Sequence, residues 1–164
     1  MRHRIPGAIA LAVAAFAAGC GGDRELGPPE LKLGRDMCKE CGMIVSEDRS
    51  CSAWLIDIGG SYEAEVFDDV GCMLDRERRG EAGNITARYF HDYPSRAWIV
   101  GKEPVFVMSE AIHTPMGSGI VAFADQVAAE AAAKETGGKL YDAVGMAAER
   151  RRWMEERYGK PKDR

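Results

Sequence analysis

The feature that most restricts the fold is an order of elements that occurs twice. Ser52 to Ile58 (SAWLIDI) is rich in β-branched and aromatic residues, Gly59-Gly60 follows, and Tyr62 to Phe67 (YEAEVF) alternates in polarity. Two such runs about a glycine pair predict a β-hairpin. Asp68 is then placed to cap a helix through about Arg79, with Val70, Met73 and Leu74 on one face. Gly80 and Gly83 end that helix, and Thr86 to His91 (TARYFH) reads as a further strand. The second half repeats the order. Pro104 to Met108 (PVFVM) and Gly119 to Phe123 (GIVAF) read as strands, Ala124 to Thr136 as an alanine-rich helix stopped by Gly137-Gly138, and Lys139 to Tyr141 as a short strand. The junctions match as well, with Val66-Phe67-Asp68-Asp69 set against Ala122-Phe123-Ala124-Asp125. A β-β-α-β order met twice predicts an α+β chain with an internal repeat, over about residues 37–100 and 101–158. Ala143 to Tyr158 adds a charged terminal helix, on which Met146, Trp153 and Met154 read as packing residues.

The first nineteen residues are not counted as fold. Arg2 and Arg4 precede an apolar run from Ile5 to Ala18, which ends in Ala17-Ala18-Gly19-Cys20. A basic start, a short apolar run and small residues before a cleavage point predict an export signal. The run is too short for a spanning helix, which needs about 20 residues. Its end resembles a lipobox. On that pattern residues 1–19 are a lipoprotein signal peptide, Cys20 is the lipidated residue, and several acyl chains give a stable anchor. Residues 20–36, with Gly27-Pro28-Pro29, read as an extended membrane tether, and 37–164 as the domain. The predicted place is extracytoplasmic, on the periplasmic side of a bacterial membrane. The chain has a net charge of −4, and the signal removes two arginines and no acids. An acidic chain without a basic patch is a poor binder of nucleic acid. Residues 20–164 suffice for a real core, so disulfides are not obligatory.

Met37-Cys38-Lys39-Glu40-Cys41-Gly42-Met43 then concentrates sulfur. Beside Cys20 there are four cysteines: Cys38, Cys41, Cys51 and Cys72. In an exported chain they suit disulfides, with three pairings open. C-x-x-C also suits a redox pair, but Gly42 and the β-branched Ile44-Val45 are poor helix openers. Four thiolates suit zinc, but Cys51 and Cys72 are single and far apart. Cu(I) accounts for the methionines too, since soft thiolates and thioethers select it. In an extended segment Cys41 and Met43 share one face. Met116, in the loop His113-Thr-Pro-Met-Gly-Ser-Gly119, is the further candidate, its other reading being a loop methionine tucked into the core. His113 is a candidate fourth or transfer ligand, its other reading being an exposed loop histidine, and His91 with Asp92 reads either as a pair supporting the metal site or as a surface pair. Asp68-Asp69 reads as a helix cap, and Cys72 as buried or paired with Cys51 rather than ligating.

The runs Met37-Cys38-x-x-Cys41-Gly42-Met43-Ile44, Phe67-Asp68-Asp69-Val70-Gly71-Cys72-Met73-Leu74, His91-Asp92-Tyr93 and Pro115-Met116-Gly117-Ser118-Gly119 together resemble the NosL family. These are copper-binding lipoproteins associated with nitrous oxide reductase assembly. The resemblance spans about Met37 to Asp142 and implies two β-β-α-β repeats packed side by side. It implies Cu(I) as cargo, with Cys41, Met43 and, by the same logic, Met116 as ligands. Cys38 marks a C-x-x-C-G-M branch, in which the site is a Cys38/Cys41 bis-thiolate or the pair oxidises when metal-free. The implied role is a periplasmic metallochaperone and not an enzyme. The implied partner is nitrous oxide reductase, another copper-receiving metalloenzyme, or its assembly machinery. Two alternatives stand beside it. One is a disulfide-stabilised or thiol-redox binding module without metal. The other is an organomercurial-lyase-like enzyme, which requires paired cysteines and a core aspartate that the sequence does not visibly align.

Overall fold

The computed structural model describes residues 26–159. The expected signal peptide, Cys20 and the first part of the expected tether therefore lie outside the described residues. The first half contains β1 (Ser52–Ile58), β2 (Ser61–Phe67), α1 (Val70–Arg78) and β3 (Asn84–Phe90). The second contains β4 (Val105–Met108), β5 (Ile120–Phe123), α2 (Gln126–Thr136) and β6 (Lys139–Tyr141), and α3 (Ala143–Tyr158) closes the chain. The expected order is thus met, in an α+β fold with a terminal helix.

Both halves fold into a three-stranded antiparallel sheet with the first strand in the middle, β2-β1-β3 and β5-β4-β6. In the first sheet Ser52 faces both Phe67 and Phe90 across the ladders. The helix starts are built alike. Asp69 takes a hydrogen bond from the Gly71 amide at 2.7 Å, and Asp125 from the Ala128 amide at 2.9 Å. Each satisfies an amide that the first turn leaves open. The cap of α1 is therefore Asp69 and not Asp68, because Asp69 has the extended backbone (φ −143°) that a cap residue needs. Gly137 closes α2 in the left-handed conformation, φ 64°.

The main core lies between the halves. Trp54, Phe67, Met73 and Phe90 of the first half pack with Phe106, Ile120 and Met146 of the second. Phe90 and Phe106 meet edge to face at 4.9 Å. A smaller core of Val107, Ile112, Val121, Phe123, Ala129 and Ala133 belongs to the second half alone. Buried carboxylates join the halves. Asp92 accepts the Ala124 amide at 2.8 Å, and Asp69 holds the loop before β5. Arg150 of α3 makes a bidentate pair with Asp75 of α1 at 2.8 and 3.1 Å, both residues being buried. No helix among the described residues is long and apolar enough to cross a membrane. The segment before Met37, expected to be an extended tether, is bound to the fold in its described part, since the Tyr89 hydroxyl donates to the Leu26 carbonyl at 2.8 Å and the Gly34 amide to the Val45 carbonyl at 2.9 Å.

Candidate metal centre

The sulfur-rich segment is a tight reversal. Met37 bridges to Ile44, the Cys38 amide donates to the Met43 carbonyl at 2.8 Å, and the Gly42 amide to the Cys38 carbonyl at 2.9 Å. Gly42 sits at φ 72°, a conformation that side chains with a Cβ rarely adopt. The Lys39 amide donates to the Val66 carbonyl at 2.9 Å and so fixes the turn against the end of β2. The turn changes one expectation. Because the chain reverses at Gly42, Cys41 and Met43 do not lie along one extended segment. Cys38 is 1% exposed and Cys41 partly buried, whereas Met43 is 54% exposed.

Beside the turn, the step from β2 into α1 delivers Asp68 and Cys72. Both are buried, Cys72 in the first turn of the helix. The sulfurs of Cys38, Cys41 and Cys72 and a carboxylate oxygen of Asp68 all lie within 4.8 Å of one another. All four cysteines of the described residues are free thiols. Cys51 is not paired with Cys72. It is buried, and its thiol donates to the Glu47 carbonyl at 2.9 Å.

The neighbours divide the protons unequally. The neighbouring Cys72 thiol holds the Cys38 thiol well below its ordinary range, against the opposing effect of burial. The same contact, with burial, pushes Cys72 up. Burial pushes Cys41 up to about 11. Burial, then the contact with Cys38, raises Asp68 to about 7. Cys38 is thus the thiol driven toward the thiolate, with a partly protonated carboxyl and two thiols around it.

The donors fit a soft metal ion. With metal–sulfur bonds of roughly 2.3 Å, two sulfurs on opposite sides of an ion stand about 4.6 Å apart. Donors that all lie within 4.8 Å of one another are close enough to share one ion. Three sulfurs and one carboxylate also make a set that zinc accepts, so softness favours copper without excluding zinc.

Met116 reaches this region because a carboxylate brings its loop there. One oxygen of Asp69 accepts the Thr114 hydroxyl at 2.7 Å, the Met116 amide at 3.0 Å and the Ser118 amide at 3.4 Å. The loop lies so close to α1 that a Cβ on Gly71 would stand 2.5 Å from the Ser118 Cβ. Met116 then lines a cavity of about 250 Å³ together with Cys41, Cys72, Glu40, Arg150, Trp153 and Met154. The histidines lie elsewhere. His113 is exposed and lines a separate cavity with Thr114 and Glu149. His91 is buried edge-on to Trp98 at 4.0 Å, and neither ring nitrogen has a hydrogen-bond partner. Burial lowers its pKa. Asp92 is a structural acceptor, bound to Ser95 and the Ala124 amide.

Spacing alone does not point to Asp68 and Cys72 as site residues. A signal for them lies in the matched junctions. Where the first half has Asp68 and Cys72, the second has Ala124 and Ala128. A buried carboxyl and a thiol in place of two alanines mark a position that packing does not explain.

Residues 31–150 match the NosL family. The crystal structure of the copper chaperone NosL from Shewanella denitrificans has a similar fold, with a TM-score of 0.60 and 22% sequence identity. The likeness covers 71% of this chain and 96% of that one. No protein of curated function matches the chain.

Proposed function

We propose a copper-carrying role for this chain, which belongs to the NosL family. In this reading it is a lipid-anchored, extracytoplasmic chaperone. It holds Cu(I) and passes it to a metalloenzyme, nitrous oxide reductase first among the candidates, or to that enzyme's assembly machinery. The similarity in fold to a protein described as a copper chaperone supports the reading. The observation that carries it is the gathering of Cys38, Cys41 and Cys72 within 4.8 Å around Asp68.

The chemistry follows from the donors. Cys38, already driven toward the thiolate, is the first anchor for an arriving cation. Cys41, partly exposed, is the second and the one a partner reaches. Cys72 completes a three-sulfur set, or leaves the ion two-coordinate and open to exchange. Met116 offers a neutral thioether at the cavity, and Met43 an exposed one two residues beyond Cys41. Neutral thioethers bind more weakly than thiolates, which suits release.

Anaerobic titration of the reduced chain with Cu(I) against a bicinchoninate chelator, with and without excess zinc, tests this. One Cu(I) per chain, retained over zinc, lost in Cys41→Ser and weakened in Met43→Leu, is the expected result. Absence of competitive binding, with the thiols oxidised in the purified chain, sinks it in favour of a metal-free redox or disulfide module.

One observation favours a second reading. The paired thiols and buried aspartate of an organomercurial-lyase-like site are present here as Cys38, Cys41 and Asp68. That reading requires release of the hydrocarbon from an alkylmercury thiolate, measured by gas chromatography. Stoichiometric mercury binding without hydrocarbon release excludes it.

A further inference from the structure

Two of the three thiols lie deep: Cys38 and Cys72 are 1% and 5% exposed, so an ion held by them reaches a partner only by way of Cys41 and the cavity beside it. The cavity that reaches Cys41 and Cys72 has its other wall on α3, in Trp153 and Met154. That wall is fixed. Arg150 is locked to Asp75 at 2.8 Å, and its guanidinium lies 4.7 Å from the centre of the Trp153 ring.

The two methionines of α3 have opposite surroundings. Met146 is 1% exposed and belongs to the core between the halves. Met154, two turns on in a run of charged residues, is only partly buried and lines the cavity. Met116 lines the same cavity and is 45% exposed. Hydrophobic packing explains Met146. It does not explain a pair of thioethers at the entrance to two thiols.

We propose that Met154 and Met116 form a thioether way-station through which Cu(I) enters and leaves the thiol cluster. This rests on the copper reading. The step is ligand exchange with no change of oxidation state. A bond from copper to a methionine sulfur forms as the bond to the Cys41 sulfur breaks, and the thiolate left behind takes a proton from water or exchanges with the next ion. Soft thioethers keep Cu(I) ligated along the path, and the flexible methionine stem lets the sulfur follow the ion.

The test uses the full-length chain in detergent, with methionines labelled at the 13C methyl. Under anaerobic Cu(I) titration past one equivalent, the Met116 and Met154 methyl signals are expected to shift, each identified by its Leu variant. The Met146 signal stays in place. From copper-loaded protein, Met154→Leu is expected to release Cu(I) to a bathocuproine chelator about tenfold more slowly, with equilibrium affinity within about twofold of wild type. Leu replaces Met at nearly the same volume, so the fold is kept. An unmoved Met154 signal together with wild-type release overturns the way-station and leaves the copper reading intact. A wild-type chain that takes no Cu(I) overturns both.

Discussion

The two halves share a topology and differ in what their matched positions hold. In both, a hairpin feeds a helix capped by aspartate, and the first strand is central. In the first half the helix start is buried, with Asp69 at 0% exposure and the second half's loop pressed on Gly71. In the second half, Asp125 and Val127 at the same places are exposed. Asp68 and Cys72 stand where the second half has Ala124 and Ala128. The difference teaches that the repeat supplies the scaffold twice, whereas the chemistry arises where one helix start is covered by the other half. A covered site can hold unusual protonation states, because water does not level them.

The comparison breaks most visibly if the first half is made like the second. The double variant Asp68→Ala/Cys72→Ala is expected to weaken Cu(I) binding about a hundredfold or more in chelator competition. It is expected to melt at or above the wild-type temperature, since it removes a buried carboxyl. Unchanged copper affinity would remove Asp68 and Cys72 from the site.

Asp68 also predicts a pH dependence that its counterpart Ala124 cannot have. Burial, then Cys38, raises its folded-state pKa from 3.8 to about 7. Between these values the folded chain keeps a proton that the unfolded chain has lost. The stability that this proton carries is full below 3.8 and is lost as pH rises through about 7. The metal-free Asp68→Asn variant should lack that decline. Denaturant melts of both proteins at pH 5 and pH 8 check it: the variant should gain on wild type at the higher pH, and equal differences at the two pH values would refute the shift.

The two caps sharpen the contrast. Asp125→Ala removes one exposed cap and is expected to cost about 1 kcal/mol. Asp69→Ala removes a cap and also leaves the Thr114 hydroxyl and the Met116 and Ser118 amides without their acceptor. It is expected to cost about 3 kcal/mol or more by denaturant unfolding. Similar costs would mean that the loop is held by something other than Asp69.

Much of this scaffold was legible in the sequence. The glycine pairs, alternating strands and repeated Phe-x-Asp junctions placed every strand and helix within a few residues, because those signals are local. The site was legible only in part. Cys38 and Cys41 announce themselves by spacing. Cys72 did not, because a lone thiol on a helix looks the same whether it faces a core or two other sulfurs. Asp68 reads as the cap because two aspartates stand together, and only the backbone shows that Asp69 has the extended conformation. Cys41-x-Met43 in sequence reads as one strand face, whereas the positive φ of Gly42 reverses the chain between them. In each case the missing information was a contact across dozens of residues or a backbone turn, neither of which periodicity encodes.

The smallest effects test the coverage itself. A Cβ at Gly71 would meet the Ser118 Cβ at 2.5 Å, well inside contact distance, so Gly71→Ala must push the loop or the helix aside. Overpacking of this kind costs about 1–3 kcal/mol. Alanine is the better helix former by roughly 0.5–1 kcal/mol, so the clash has to exceed that gain before any loss appears. At the matched position Val127 is 71% exposed, and Val127→Ala is expected to fall within about 0.5 kcal/mol of wild type. Displacing the loop carries Met116 with it, so Gly71→Ala should also alter Cu(I) release, whereas Val127→Ala should not. If Gly71→Ala is as silent as Val127→Ala in both stability and release, the two helix starts are equivalent. The position of Met116 would then owe nothing to the junction between the halves.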